Sequence, residues 1–175
     1  RKTSERKLEA VPAIFLDRDG TLIEENELVN SPQRIKLIPG VVNGLQILST
    51  LNCKLVVISN QSAVARGLLT IKQVNSVNKY LSGIFERQGV KIDAFYFCPH
   101  HPEGTIPAFK MNCVCRKPEP GLFFRASDEL SIDLSRSVMI GDSPRDLEAA
   151  RRANCSTILV LTGKGKESLK EVKQR

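Results

Sequence analysis

Five apolar runs of strand length recur along the chain, at residues 13–17, 54–60, 94–97, 137–142 and 157–161. They are continuously apolar and β-branched rather than alternating. Three of them close on small polar or acidic residues: Asp17, then Ser59 and Asn60, then Asp142. A strand that is apolar at every position has to be covered on both faces, which is the condition of a parallel sheet between helices. Helix-period stretches do lie between the runs, at about 40–51, 70–88, 120–131 and 144–153. The third sets Leu122, Phe123, Ala126 and Leu130 on one side after a Pro-Gly start. The fourth opens with Ser143 as N-cap and Pro144 at the first helical position. Strand and helix in alternation predict a doubly wound, Rossmann-like α/β sheet with helices on both faces and ligands at the carboxyl ends of the strands. Residues 22–38 and 98–118 break the alternation. Both follow a strand directly, so both are expected to hang over the site.

A length of 175 residues accommodates one domain at roughly 100–200 residues each. The expected division is a charged segment 1–10, a single domain 11–162 carrying a loop at 98–115, and a charged tail or frayed helix 163–175. An apolar content of 41% supports a full core and excludes disorder of the whole chain. No apolar run approaches the ~18 residues of a membrane span, and the charged start reads as no secretory signal. The expectation is therefore a cytoplasmic protein without membrane partners, and a monomer. The formal charge is +7. Residues 1–10 carry four basic and two acidic side chains and residues 163–175 five and two, so +2 is left for the 152 residues between. The charge belongs mainly to the ends and makes a poor nucleic-acid footprint, so no nucleic-acid partner is expected. Five cysteines without a secretory signal favour metal or catalytic use over a disulfide framework.

Asp17 and Asp19 flank Arg18 where the first strand ends, and Gly20 permits the immediate turn that would bring the two carboxylates together. Like charges that close are costly unless a cation lies between them. A few hard oxygen ligands completed by phosphate and water describe a Mg²⁺ site. Asp142 would reach the same edge. Asp146, one helical turn on, either supports the metal shell or compensates the helix N-terminus. Ser59 and Asn60 offer a hydroxyl and an amide for a phosphoryl oxygen, and Arg116 and Lys117 supply two cations ahead of a helix.

Asp-x-Asp-Gly-Thr at 17–21, Ser-Asn at 59–60, Lys-Pro at 117–118 and Gly-Asp-x-x-x-Asp at 141–146 resemble, in order, the four motifs of the haloacid dehalogenase superfamily of phosphohydrolases. The resemblance implies that Asp17 is the nucleophile of an aspartyl-phosphate intermediate and Asp19 the general acid, then base. It implies Mg²⁺ on Asp17, the backbone carbonyl of Asp19 and Asp142. Ser59 and Lys117 would hold the equatorial oxygens, and Thr21 would order the loop that carries Asp19.

Cys98 with His100 and Cys113 with Cys115 form two ligand pairs in the loop. Three thiolates and an imidazole make a tetrahedral, structural Zn²⁺ set. His101 is the adjacent alternative ligand, but the matching of a Cys-x-His with a Cys-x-Cys pair favours His100. Cys53 and Cys155 are left as buried single thiols beside strands. Zinc would stiffen the loop and aim Arg116 and Lys117 at the site. The loop, with residues 59–67, resembles the D-glycero-D-manno-heptose 1,7-bisphosphate phosphatases, whose zinc loop the histidinol-phosphate phosphatases share. This resemblance implies a hydrolase without a large cap domain that removes the C7 phosphate in carbohydrate metabolism of the kind that feeds lipopolysaccharide. Asn60, Gln61 and Ser62 would border the substrate, and Arg116 would recognise its distal part. Ala63 stands where that family commonly has glycine, Ser143 where lysine is frequent, and residues 24–31 differ from its substrate-contacting segment. Rival readings are a histidinol-phosphate or other small-metabolite phosphatase, a nucleic-acid 3′-phosphatase, and an inactive zinc-stabilised binding module.

Overall fold

A computed structural model describes residues 9–25 and 28–173; most of the expected N-terminal segment 1–10 lies outside the described residues. Five strands form a single sheet: β1 (Ala13–Leu16), β2 (Lys54–Asn60), β3 (Ala94–Cys98), β4 (Val138–Gly141) and β5 (Ser156–Leu159). All pair in parallel, in the order β3-β2-β1-β4-β5. The helices are α1 (Val41–Leu48), α2 (Ile71–Arg87), α3 (Gly121–Leu130), α4 (Pro144–Arg152) and α5 (Gly165–Lys173).

Helix boundaries follow from local chemistry. Thr70 caps α2, its side chain accepting from the Gln73 amide while the Gln73 side chain reaches back to the Thr70 amide. Ser143 and Asp146 close the same reciprocal box around Pro144 at the start of α4. Ser131 ends α3 in the left-handed conformation, at φ 53°.

The sheet buries both faces, as continuous apolar strands require. Ala13 and Phe15 pack with Val56, Ile58 and Met139 under Phe123 and Ala126 of α3 and Ala149 and Ala150 of α4. Ile14 and Leu16 face the other way, with Leu55 and Val57, against Val77, Leu81 and Phe85 of α2 and Leu45 of α1. The Phe15 and Phe123 rings meet at 4.7 Å between centroids. Cys155 is buried in the first layer, whereas Cys53, expected to be buried, is only half-buried at the start of β2.

β1 has β2 on one side and β4 on the other, so the loops leaving β1 and β4 part and open a crevice at the carboxyl edge. The described residues of 22–38 do lie beside it. They are pinned by an antiparallel bridge between Ile23 and Leu37 and by the Glu24 amide donating to Lys36 O at 2.9 Å. Within the segment 163–175, expected to be a charged tail or frayed helix, Gly165 to Lys173 form α5, with Gly165 and Ser168 buried. The Ser168 hydroxyl donates to Asp142 O at 2.7 Å. The charges are confined to the outer face of an amphipathic helix, which is why composition alone reads as a tail.

Phe123 is fully buried at the centre of the larger layer. Phe123→Ala should lower unfolding stability by about 3–5 kcal/mol. Urea denaturation followed by far-UV circular dichroism would check this, and a loss under about 1 kcal/mol would contradict the packing described.

Candidate active site

The two acidic strand ends and the Lys-Pro turn meet in one buried constellation. Lys117 Nζ lies 2.8 Å from Asp17 Oδ1 and 2.6 Å from Asp146 Oδ1, and donates to Ile58 O at 2.8 Å. Only 2% of the Lys117 side chain is exposed, so its charge is matched by protein oxygens rather than water. Asp146 uses its other oxygen to accept from the amide and hydroxyl of Ser143, at 3.1 and 2.9 Å. With both oxygens engaged, Asp146 supports its neighbours and also serves the helix start.

Asp142, at the end of β4, accepts from the Lys164 amide at 2.8 Å. Gly20 and Gly163 both have positive φ, and a Cβ on either would overlap the Asp142 carboxylate. The chain from β5 to α5 is thus pressed onto the β1 loop, and Thr162 Oγ1 donates to Gly20 O at 2.7 Å. Thr21, expected to order that loop, has a buried hydroxyl without a hydrogen-bond partner among the described residues. The ordering comes instead from Thr162 and from the Arg18 carbonyl, which accepts from the Leu22 and Ile23 amides at 2.9 and 3.1 Å.

Asp17, Asp142 and Asp146 bring carboxylate oxygens within 4.8 Å of one another. Two of these buried carboxylates, Asp17 and Asp146, share one ammonium and the third, Asp142, has none, and this excess of negative charge is what a divalent cation would neutralise. Burial pushes the Asp17 carboxyl up to about 8, against the opposing effect of Lys117 and with help from Asp146 and Asp19. Burial also raises Asp142. The donor set, all hard oxygens, fits Mg²⁺.

A cavity of about 310 Å³ opens over this constellation, lined by Asp17, Asp19, Asn60, Ser62, Arg116, Lys117 and Asp142 among the expected residues. Two expected substrate contacts are otherwise employed. Asn60 spans the backbone of Lys117, its amide nitrogen donating to Lys117 O and its amide oxygen accepting from Lys117 N, both at 3.0 Å. It splints the lysine as well as lining the cavity. Gln61 is buried and donates to Asp19 Oδ2 at 2.7 Å and to Ser59 Oγ at 3.3 Å. Its short reach into the interior turns it from the substrate toward the acid. Ser59 is likewise buried at the end of β2.

Several lining residues received no role from the sequence. Arg66, His101 and Arg145 stand with Arg116 around the mouth, and Glu25 pairs with Lys164 at 2.9 Å on its far side. Arg66 Nη2 approaches His101 Nε2 at 3.4 Å. Among the described residues, none of the three arginines is ion-paired with a carboxylate. Burial first, then Arg145, depresses the Arg116 guanidinium. Arg66 and Arg145 lie inside the two motifs at 59–67 and 141–146, yet only the tertiary fold brings them together.

The thiol cluster also assembles. Cys115 Sγ lies 3.1 Å from Cys98 Sγ and 3.3 Å from Cys113 Sγ, and His100 Nδ1 is 3.3 Å from Cys115 Sγ. These separations are too long for a disulfide at ~2.05 Å, and all four ligand atoms surround one point. His101 turns away, its Nδ1 accepting from the Glu103 amide at 3.1 Å. The hydrogen bond between Cys98 and Cys115 pulls the Cys115 thiol down to about 5 and pushes the Cys98 thiol up, so in the metal-free cluster Cys115 is the favoured thiolate. The cluster lies just before Arg116 and Lys117 and so fixes where both enter the site.

A HAD-hydrolase-like family model matches residues 114–175. Over 157 residues the chain is 42% identical to the D-glycero-β-D-manno-heptose-1,7-bisphosphate 7-phosphatase of Yersinia pestis, covering 89% of this chain and 84% of the relative. The chain belongs to this family. The enzyme of the same name from Escherichia coli K12 is 41% identical over 156 residues, covering 89% and 82%. Among solved structures, the D,D-heptose 1,7-bisphosphate phosphatase of B. bronchiseptica, complexed with magnesium and phosphate, superposes with a TM-score of 0.82 at 33% identity, covering 92% of this chain and 87% of its own. A putative HAD-like phosphatase from Mesorhizobium loti gives 0.81 at 32% identity, covering 86% and 73%. Together with the parallel sheet, these relationships bear out the expected haloacid dehalogenase-like fold. No separate cap domain is present among the described residues.

The raised carboxyl of Asp17 gives a pH dependence. In the metal-free protein the folded state holds this proton more tightly than the unfolded chain, whose carboxyl sits near 3.8. The resulting stabilisation is complete below that value and is lost as pH rises toward about 8. Mg²⁺ needs the ionised form, so its stabilising effect grows over the same window. Thermal unfolding with and without Mg²⁺ should therefore show a larger Mg²⁺-dependent rise in Tm at pH 8 than at pH 5. An equal rise at both would contradict a proton-metal competition at this site.

Proposed function

We propose that the protein is a Mg²⁺-dependent phosphatase that removes the C7 phosphate of D-glycero-D-manno-heptose 1,7-bisphosphate. The observation that carries the reading is the pairing, in one cavity, of a buried carboxylate cluster with an uncompensated arginine group at the mouth. The first suits a phosphoryl group in reaction, the second a distant anionic group on the same molecule. The family supplies the sugar.

On this reading Asp17 attacks phosphorus in line while Asp19 gives its proton to the departing sugar oxygen, so that the P–O bond to the sugar breaks as the P–O bond to Asp17 forms. Lys117 and Ser59 hold phosphoryl oxygens, and Ser62 borders the sugar. Arg116, joined by Arg66 and Arg145, receives the distal phosphate. Asp19 then takes a proton from the water that cleaves the aspartyl phosphate. Mg²⁺ bound by Asp17, Asp142 and the backbone carbonyl of Asp19 would neutralise charge between nucleophile and phosphate. Zn²⁺ on Cys98, His100, Cys113 and Cys115 would be structural, since four protein ligands leave no open position. The reading carries with it a single domain acting as a monomer in the cytoplasm on a soluble sugar phosphate, in support of lipopolysaccharide synthesis. It fits a chain whose described residues include no helix long and apolar enough to cross a membrane.

The test compares phosphate release from heptose 1,7-bisphosphate, histidinol phosphate and a 3′-phosphorylated oligonucleotide with Mg²⁺ present. The heptose should be preferred in kcat/KM by at least about tenfold, which corresponds to 1.4 kcal/mol of differential binding. Preference for either rival would reassign the substrate, and hydrolysis of none would favour a binding module. Asp17→Asn should remove turnover while leaving the circular dichroism spectrum unchanged; substantial residual activity would exclude the covalent route.

Protein purified without chelator should contain about one zinc per chain at a four-ligand site, and Cys113→Ser should lose it. Elemental analysis finding no zinc in the wild-type protein would overturn the structural assignment.

A further inference from the structure

Arg18 occupies the position between the two aspartates, yet its side chain is directed inward and only 2% exposed. Its Nε donates to Asp19 Oδ2 at 3.2 Å and its Nη2 to Asp19 Oδ1 at 3.1 Å, a two-pronged grip on both carboxylate oxygens. The remaining arm, Nη1, donates to Asn78 Oδ1 at 3.0 Å. Asn78 is itself buried in the middle of α2, among residues that otherwise face the apolar layer. A buried guanidinium and a buried amide are costly in such a layer unless each is satisfied, and here they satisfy each other. Gln61 adds a third donor to Asp19 from the end of β2 at 2.7 Å. Asp19 is thus held by donors on three sides while part of its side chain, 21%, still faces the cavity.

Donors that grip both oxygens of a carboxylate fix its direction. In the proposed cycle that direction matters in the second half, when Asp19 accepts a proton from water. We propose that Arg18, anchored by Asn78, is the positioning residue for this step. The inference rests on the reading of Asp19 as general base. The step is balanced as follows: the water oxygen bonds to phosphorus, its proton passes to Asp19, the bond between phosphorus and Asp17 breaks, and inorganic phosphate leaves. Asp19 keeps the proton for the next sugar oxygen. The fork touches neither substrate nor phosphorus. It acts through Asp19 alone.

Para-nitrophenyl phosphate separates the two halves, because its leaving group departs without a proton. Arg18→Met and Asn78→Leu, in the Mg²⁺-loaded protein, should keep kcat/KM for this substrate within about threefold while lowering kcat by about tenfold or more, part of the ~10²–10⁴ attributable to acid–base catalysis. Slow hydrolysis should appear as a burst of nitrophenolate and as a phosphorylated protein in intact-mass spectra of quenched samples. A variant that only loosened the fold would lower kcat and kcat/KM together and show no burst. That result, or unchanged kinetics, would overturn the proposal. Should Arg18→Met not fold, Asn78→Leu decides alone, since it keeps the charge and removes only the anchor. Asp19→Asn is the reference. If it traps phosphorylated protein and the other two variants do not, the positioning role fails while the base role stands. If Asp19→Asn traps none, the base role fails and the inference with it.

Discussion

The site depends on a single electrostatic arrangement: one buried ammonium shared between two buried carboxylates. Lys117 joins the end of β1 to the start of α4 through Asp17 and Asp146, and its third bond is to the carbonyl of Ile58 in β2. A tetrahedral ammonium with three protein acceptors is fully specified in direction, so three separate elements share one point of reference. The parallel sheet contributes by ending its central strands side by side. The charges would repel if brought to one edge without Lys117, and Lys117 would be intolerable there without them. Fold and site constrain each other.

The lysine is supplied by a loop with little regular structure, and this explains the investment around it. A four-ligand thiol and imidazole cluster precedes it, Asn60 grips its backbone from both directions, and Gly121 donates its amide back to Val114 O at 2.8 Å. A loop pinned at several points can hold a charge as firmly as a helix without occupying a helix's volume. This leaves room above the strands for a substrate in a chain whose described residues include no cap domain.

Much of this was legible in the sequence because the responsible interactions are local. Strand positions follow from apolar runs, and α2 and α4 start where Thr70 and Ser143 cap them. The acidic, basic and thiol motifs were legible because each groups its chemistry within a few residues, and the fold had only to bring the groups together. What remained hidden is pairwise and distant. Sequence order shows that Asn60 and Gln61 stand near the site, not that one splints the Lys117 backbone and the other donates to Asp19. Arg18 offered a signal that passed unread: an arginine closing an apolar strand between two acids needs a buried acceptor, and Asn78 is sixty positions away. The charged segment after Gly163 reads equally as a tail or a frayed helix because its few buried positions, Gly165 and Ser168, are neither large nor apolar.

That helix has a bearing on biosynthesis. Asp142 is oriented by the backbone amide of Lys164, and the β1 turn is latched by the hydroxyl of Thr162. Neither group can act until residues 162–173 have left the ribosome and settled on the sheet. Five fully paired strands would still leave Asp142 without the amide that directs it, so the connection from β5 to α5 acts with the sheet edge as one mechanical unit.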